Sequence, residues 1–156
     1  MQLDELTADQ LIEIREEKTT SLAHGNIAVT LSANLHVYTL PKKLGMVFDS
    51  QTTFKVVGKP PTRQPDVAFV IWERLPDELG MQADFAPDLA VEVVSESDMF
   101  YDLERKIEQY RQSQVKLIWL IRPYNKLVEV YHEDSSIPTK LLTIEDELDG
   151  EDVVQR

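Results

Sequence analysis

Pro87 Asp88 Leu89 Ala90 Val91 Glu92 Val93 Val94, then Tyr101 to Gln112, then Val115 Lys116 Leu117 Ile118 Trp119 Leu120 Ile121, is the stretch whose periodicity decides the fold. The outer pieces are short apolar runs rich in β-branched residues, as buried strands are. The middle piece sets Leu103, Ile107 and Tyr110 on one helical stripe. Strand, helix and strand in that order form a crossover unit, so the two strands are expected to be parallel with a right-handed connection. Leu127 to Tyr131 follows across a turn at Pro123 to Lys126 and adds another strand. The predicted class is therefore α/β, a mixed sheet flanked by helices.

Upstream, Leu3, Leu6, Leu11 and Ile14 predict a helix starting near Thr7 and running to about Lys18. Ile27, Leu31, Leu35 and Tyr38 predict a second, from His24 to Leu40, closed by Pro41. Met46 to Phe48 and Thr52 to Val57 read as strands of a meander ended by Gly58 Lys59 Pro60 Pro61, and residues 66 to 72 as the next strand. Pro76, Gly80 and Pro87 mark the segment from Glu73 to Ala86 as a loop, long enough to be functional or mobile.

Glu92 is the anomaly in this pattern. A carboxylate inside the most apolar run of the chain is costly unless a cation or hydrogen-bond donors compensate it. The run opens with Pro87 Asp88, and the strand before it opens with Pro65 Asp66. Alternation puts Asp88, Ala90, Glu92 and Val94 on one face, and if the strands are neighbours Asp66 and Glu92 converge. Two carboxylates with a nearby lysine are what metal-assisted phosphodiester hydrolysis requires. The hard oxygens suit Mg2+ or Mn2+, and Lys106, on the helix after Glu92, can reach the end of that strand. Each residue also has a plainer reading: turn chemistry for Asp66 and Asp88, an internal ion pair for Glu92, a solvated helix face for Lys106, and a helix start for His24. Asp88 and His24 are accordingly auxiliary candidates.

The totals set limits. A chain of 156 residues is expected to form a single domain over residues 1–156, and 42% hydrophobic with 28% charged residues is a globular composition. The formal charge of -12 disfavours loose attraction to nucleic acid, so a polyanion partner needs a local basic patch or a metal. Part of that charge is concentrated between Glu145 and Asp152. Zero cysteines exclude disulfides and thiolate zinc, and no apolar run approaches the ~20 residues needed to span a bilayer. With an acidic start lacking a signal-peptide pattern, the expected location is cytoplasmic. No Walker A, Gly-x-Gly-x-x-Gly or Gly-x-Ser-x-Gly pattern occurs, which leaves nucleotide binding and serine hydrolysis without support.

Pro65 Asp66 Val67 Ala68 Phe69 Val70, then Ala86 to Ser95, then Asp102 Leu103 Glu104 Arg105 Lys106 Ile107 Glu108 Gln109 Tyr110, resembles the Uma-two family of endonucleases, within the PD-(D/E)XK nuclease superfamily. The resemblance extends over roughly residues 20 to 150. It implies a restriction endonuclease-like core with the active site at one edge of a mixed sheet, Asp66 and Glu92 as metal ligands, Mg2+ or Mn2+ as cofactor, and DNA as substrate. The superfamily's lysine falls two residues after the second acid, where this chain has Val94. The family resemblance implies that Lys106 takes over that role from the next helix. Nucleases of this fold often act as dimers, so a homodimer or higher homo-oligomer is expected. The rival expectation, motivated by the acidic charge and by Ser95 Glu96 Ser97 where the family usually has Ser-Pro-Ser, is a catalytically inactive member acting in binding or assembly.

Overall fold

The structure, a computed structural model, describes residues 21–96 and 98–143. The helix expected near Thr7 lies outside them.

Helix α1 (Leu22–Thr39) starts where the Ser21 hydroxyl accepts the His24 backbone N–H at 3.0 Å, which satisfies one of the unpaired amides of the first turn. Its Ile27, Ala28, Leu31 and Leu35 pack on the sheet, close to the predicted stripe, whereas Tyr38 is exposed and stacks beneath the Lys42 ammonium. The main sheet has six strands in the order β1 (Gly45–Phe48), β4 (Val67–Ile71), β5 (Leu89–Val93), β6 (Leu117–Arg122), β7 (Leu127–His132) and β8 (Lys140–Thr143). Among these strands only β5 and β6 pair in parallel, joined across the sheet by helix α2 (Phe100–Gln112), as the strand, helix, strand pattern predicts. Their other pairings are antiparallel.

Alternation divides the sheet into two faces. Val67, Phe69, Leu89, Val91, Val93, Leu117, Trp119 and Ile121 form a core under α1. Ala90, Ile118 and Leu120 form another with Leu103, Ile107 and Tyr110 of α2. The central strands are buried on both sides, which explains their unbroken apolar runs.

The structure departs from the predicted meander. Only Phe54 and Lys55 of the run from Thr52 to Val57 are strand (β2), and they pair with Thr62–Arg63 (β3) in a separate two-stranded hairpin. β1 pairs instead with β4, and this brings Gly45 so close to Val70 and the Phe69 ring that a Cβ would collide with both. The hairpin is anchored by buried Phe54, whose ring meets Phe48 and Phe85 edge to face. The loop after β4 begins with a 3-10 turn over Trp72–Arg74. β8 had no counterpart among the sequence-based expectations.

Candidate active site

The register of β4 on β5 sets the geometry. Val67 lies opposite Val91 and Ala68 opposite Ala90, so the same offset carried one residue further sets Asp66 opposite Glu92. Glu92 emerges on the α2 face by the parity of Ala90, and Asp66, in the bend before β4, is within electrostatic reach of it. Asp66 Oδ2 accepts the Val93 backbone N–H at 2.7 Å, which fixes the carboxylate where Pro65 ends the ladder. His24 Nε2, from the first turn of α1, lies 3.3 Å from the same oxygen. His24 thus lies in the first turn of a helix that Ser21 caps, with its imidazole beside Asp66.

Glu92 is 4% exposed. The Tyr110 hydroxyl donates to its Oε1 at 2.6 Å, and Lys106 Nζ stands 3.4 Å from its Oε2 in a loose ion pair. Burial pushes the Glu92 carboxyl up from 4.5 to about 7; the Lys106 charge opposes this, facing Asp66 adds to it, and the bonds from Tyr110 and Lys106 oppose it. The Tyr110 hydroxyl is in turn held well above its ordinary value by burial and by the Glu92 charge. The site thus brings two carboxylates near each other, with Lys106 beside Glu92 and His24 beside Asp66.

Whether the donors fit a divalent ion depends on their number and kind. Among the described residues no group of three or more His, Asp and Glu side chains is gathered as a metal-binding cluster. Mg2+ is commonly held by one or two carboxylates with water and substrate oxygens completing its shell, so the pair Asp66 and Glu92 fits it without a dedicated three-ligand cage.

Asp88 does not join them. It precedes the first residue of β5 while Glu92 is near the last, so the two are separated by roughly 13 Å of strand. Its oxygens are occupied by the Ile71 N–H at 2.9 Å, by Arg74 Nη1 at 2.8 Å and by Lys116 Nζ at 3.7 Å. Asp88 is a buried clamp at the start of the central strand β5, apart from Asp66 and Glu92.

Tyr110 is the site residue the sequence reading missed, because it entered only as a member of the packing stripe. The available signal was spacing: Lys106 and Tyr110 are four apart on one helix, so what one reaches the other can reach. Arg63 and Gln109 were missed as well. Arg63 Nε donates to Gln109 Oε1 at 2.8 Å, and Gln109 Nε2 donates to the carbonyls of Val57 and Pro60, strapping the hairpin to α2 beside the site.

A family model described as "Uma2: Putative restriction endonuclease" matches residues 8–156. The chain belongs to this family. Among solved structures it is similar to "a putative nuclease belonging to DUF820" from Anabaena variabilis, with 18% identity, a TM-score of 0.70, and coverage of 88% of this chain and 83% of that one. That likeness carries the fold, which is restriction endonuclease-like. No curated protein matches the sequence. Among the described residues no helix is long and apolar enough to cross a membrane.

For this Uma2 chain the Tyr110 hydroxyl has a measurable task, which is to favour the ionised form of Glu92. Tyr110→Phe is expected to weaken Mn2+ binding several-fold near neutral pH and to recover most of the loss at about pH 9, where Glu92 ionises unaided. Calorimetric titration at both pH values checks this; an equal deficit at both would assign Tyr110 a packing role only.

Proposed function

We propose that this Uma2 member is a Mg2+- or Mn2+-dependent endonuclease that hydrolyses DNA phosphodiesters. The observation that carries the reading is the β4–β5 register, which supports a shared metal seat between Asp66 and Glu92 with Lys106 alongside. A bound divalent ion supplies an activated water at neutral pH and a counter-charge for the phosphoryl oxygens. The chain's own groups do the rest. Asp66 is aimed by the Val93 amide and His24, so its free oxygen is presented without rotamer search. Glu92 is held by Tyr110 on one oxygen, with the other turned to Lys106. Lys106 is partly exposed and lines an open cleft together with Thr53, Thr62, Arg63 and Gln64, where its ammonium can meet charge that develops on a phosphate.

The test is cleavage of supercoiled plasmid in Mg2+ and in Mn2+, comparing the wild type with Asp66→Asn and Lys106→Met. Asp66→Asn is expected to lose about 10³-fold or more in rate, and Lys106→Met about 10². Cleavage by Asp66→Asn at the wild-type rate would remove Asp66 from the site. A wild type that binds neither metal and cuts nothing would favour the noncatalytic assembly role.

A further inference from the structure

A net charge of -12 leaves unexplained how this chain would hold a polyanion, because two carboxylates at the site add to the repulsion. The charges are unevenly placed. From Gln51 to Pro65 the sequence contains Lys55, Lys59 and Arg63 and no Asp or Glu, so three of the sixteen Lys and Arg residues fall in the segment that folds as the β2–β3 hairpin. Among the described residues none of the three has an acidic partner. Lys55 and Lys59 are exposed, whereas the ion pairs elsewhere engage Arg74, Lys116, Arg111 and Arg122 with acids.

The hairpin also forms one wall of an open cleft of about 400 Å³, lined by Thr53, Thr62, Arg63, Gln64 and Lys106. The cleft is lined by the hydroxyls of Thr53 and Thr62, the Arg63 guanidinium and the proposed reaction centre's lysine, while the Gln64 amide is held by Thr53 and the Gln51 carbonyl. Its position is fixed: Gln109, itself 4% exposed, binds Arg63 and two hairpin carbonyls, and Ser113 Oγ accepts the Val57 N–H at 2.8 Å. The Arg63 bond to Gln109 uses Nε and leaves the terminal nitrogens of the guanidinium for the cleft that Arg63 lines, the geometry suited to a phosphate.

We infer that the β2–β3 hairpin is the rail on which the DNA backbone lies, with Arg63 seating the phosphate next to the scissile one and Lys55 and Lys59 taking phosphates further along the same strand. The inference rests on the nuclease reading for its substrate and adds the surface that holds it. Phosphate binding of this kind positions the backbone without reading sequence, so the hairpin gives affinity and register but no base preference.

Binding of a short fluorescein-labelled DNA duplex is measured by anisotropy in EDTA, where cleavage is off, over a series of salt concentrations. Lys55→Gln/Lys59→Gln is expected to weaken binding about tenfold at about 0.1 M salt and to flatten the plot of log K against log salt by about 0.9 for each phosphate that is no longer neutralised. Arg63→Gln should act likewise, and Arg63→Lys, which keeps the charge, should retain the slope. Lys42→Ala, at the other end of α1, should change neither. Unaltered affinity and slope in the hairpin variants of a wild type that binds or cuts DNA would overturn the rail and leave the nuclease reading intact. A wild type with no DNA binding at low salt would overturn it too. Steep hairpin-dependent binding by a protein that cuts nothing would uphold the rail and sink the nuclease reading.

Discussion

Glu92→Gln is expected to abolish metal-dependent cleavage while making the metal-free protein more stable above neutral pH. The two effects share one cause. The Glu92 carboxyl ionises at about 7 in the fold against an ordinary 4.5, so the folded state binds its proton more tightly than the unfolded chain does. Below about pH 4.5 both states are protonated and the group is neutral in its effect. As pH rises from there to about 7 the unfolded chain gives up the proton first, and stability falls across that window before levelling off. The shift is equivalent to about 3 kcal/mol at alkaline pH. Glutamine keeps an oxygen for the Tyr110 hydroxyl and removes the charge; Lys106, partly exposed, can turn to water. In EDTA at about pH 8 the variant's unfolding midpoint should rise by about 6 to 12 °C, and at about pH 4 the gain should vanish. Adding Mn2+ should reverse the order, because only the wild type gains stability from a ligand bound to the native state. Identical melting curves at both pH values would mean that Glu92 is fully compensated and that the site has no need of a cation.

Why some of this was legible in the sequence and some was not follows from what each pattern records. The β5, α2, β6 unit was readable because burial on both sheet faces demands unbroken apolar runs, and the helix between them must present Leu103, Ile107 and Tyr110 to one side. The convergence of Asp66 and Glu92 was readable because alternation fixes faces and the apolar setting makes a carboxylate conspicuous. The hairpin was not. Phe54 and Val56 alternate with more exposed neighbours just as strand residues of the main sheet would, but Phe54 is buried against the face of β4 and the loop and Val56 against α2, and periodicity reports burial without naming the partner. Asp88 shows a related limit. Pro65 Asp66 and Pro87 Asp88 look equivalent, yet β4 and β5 are antiparallel, which puts the starts of the two neighbouring strands at opposite ends of their ladder. Strand direction decides which of two identical dipeptides faces the chemistry, and a local pattern carries no direction. The hairpin's charge was hidden for another reason: a formal total of -12 averages over acids concentrated elsewhere, including those between Glu145 and Asp152.

Asp88→Ala is expected to be the most destabilising single change at a carboxylate of this protein while sparing its chemistry. Asp88 is 1% exposed and joins three parts of the fold: Oδ2 accepts the Ile71 N–H as β4 ends, Oδ1 meets Arg74 from the following turn, and Lys116 approaches from the start of β6. Arg74 relays the tie by donating to the Ala86 carbonyl at 2.9 Å and lying over the Phe85 ring. The segment between Trp72 and Pro87, long enough to wander, is thereby pinned at both ends by one ion pair. Alanine leaves the Ile71 amide without its acceptor and strips Arg74 and Lys116 of a counter-charge, a loss of about 3 kcal/mol. For a chain of this size that lowers the unfolding midpoint by about 6 to 12 °C. Asparagine keeps an acceptor for Ile71 and should cost about half as much, since only the charge is removed. Below its lowered midpoint Asp88→Ala should cut DNA in Mg2+ at close to the wild-type rate, because the clamp stands at the other end of β5 from Glu92. Thermal melts and a cleavage assay on the same preparations separate the two Pro-Asp carboxylates: Asp66→Asn loses rate and keeps its midpoint within a few degrees, and Asp88→Ala does the reverse. A variant Asp88→Ala that melts like the wild type yet fails to cut would return Asp88 to the active site and would mean that the site reaches along the whole of β5.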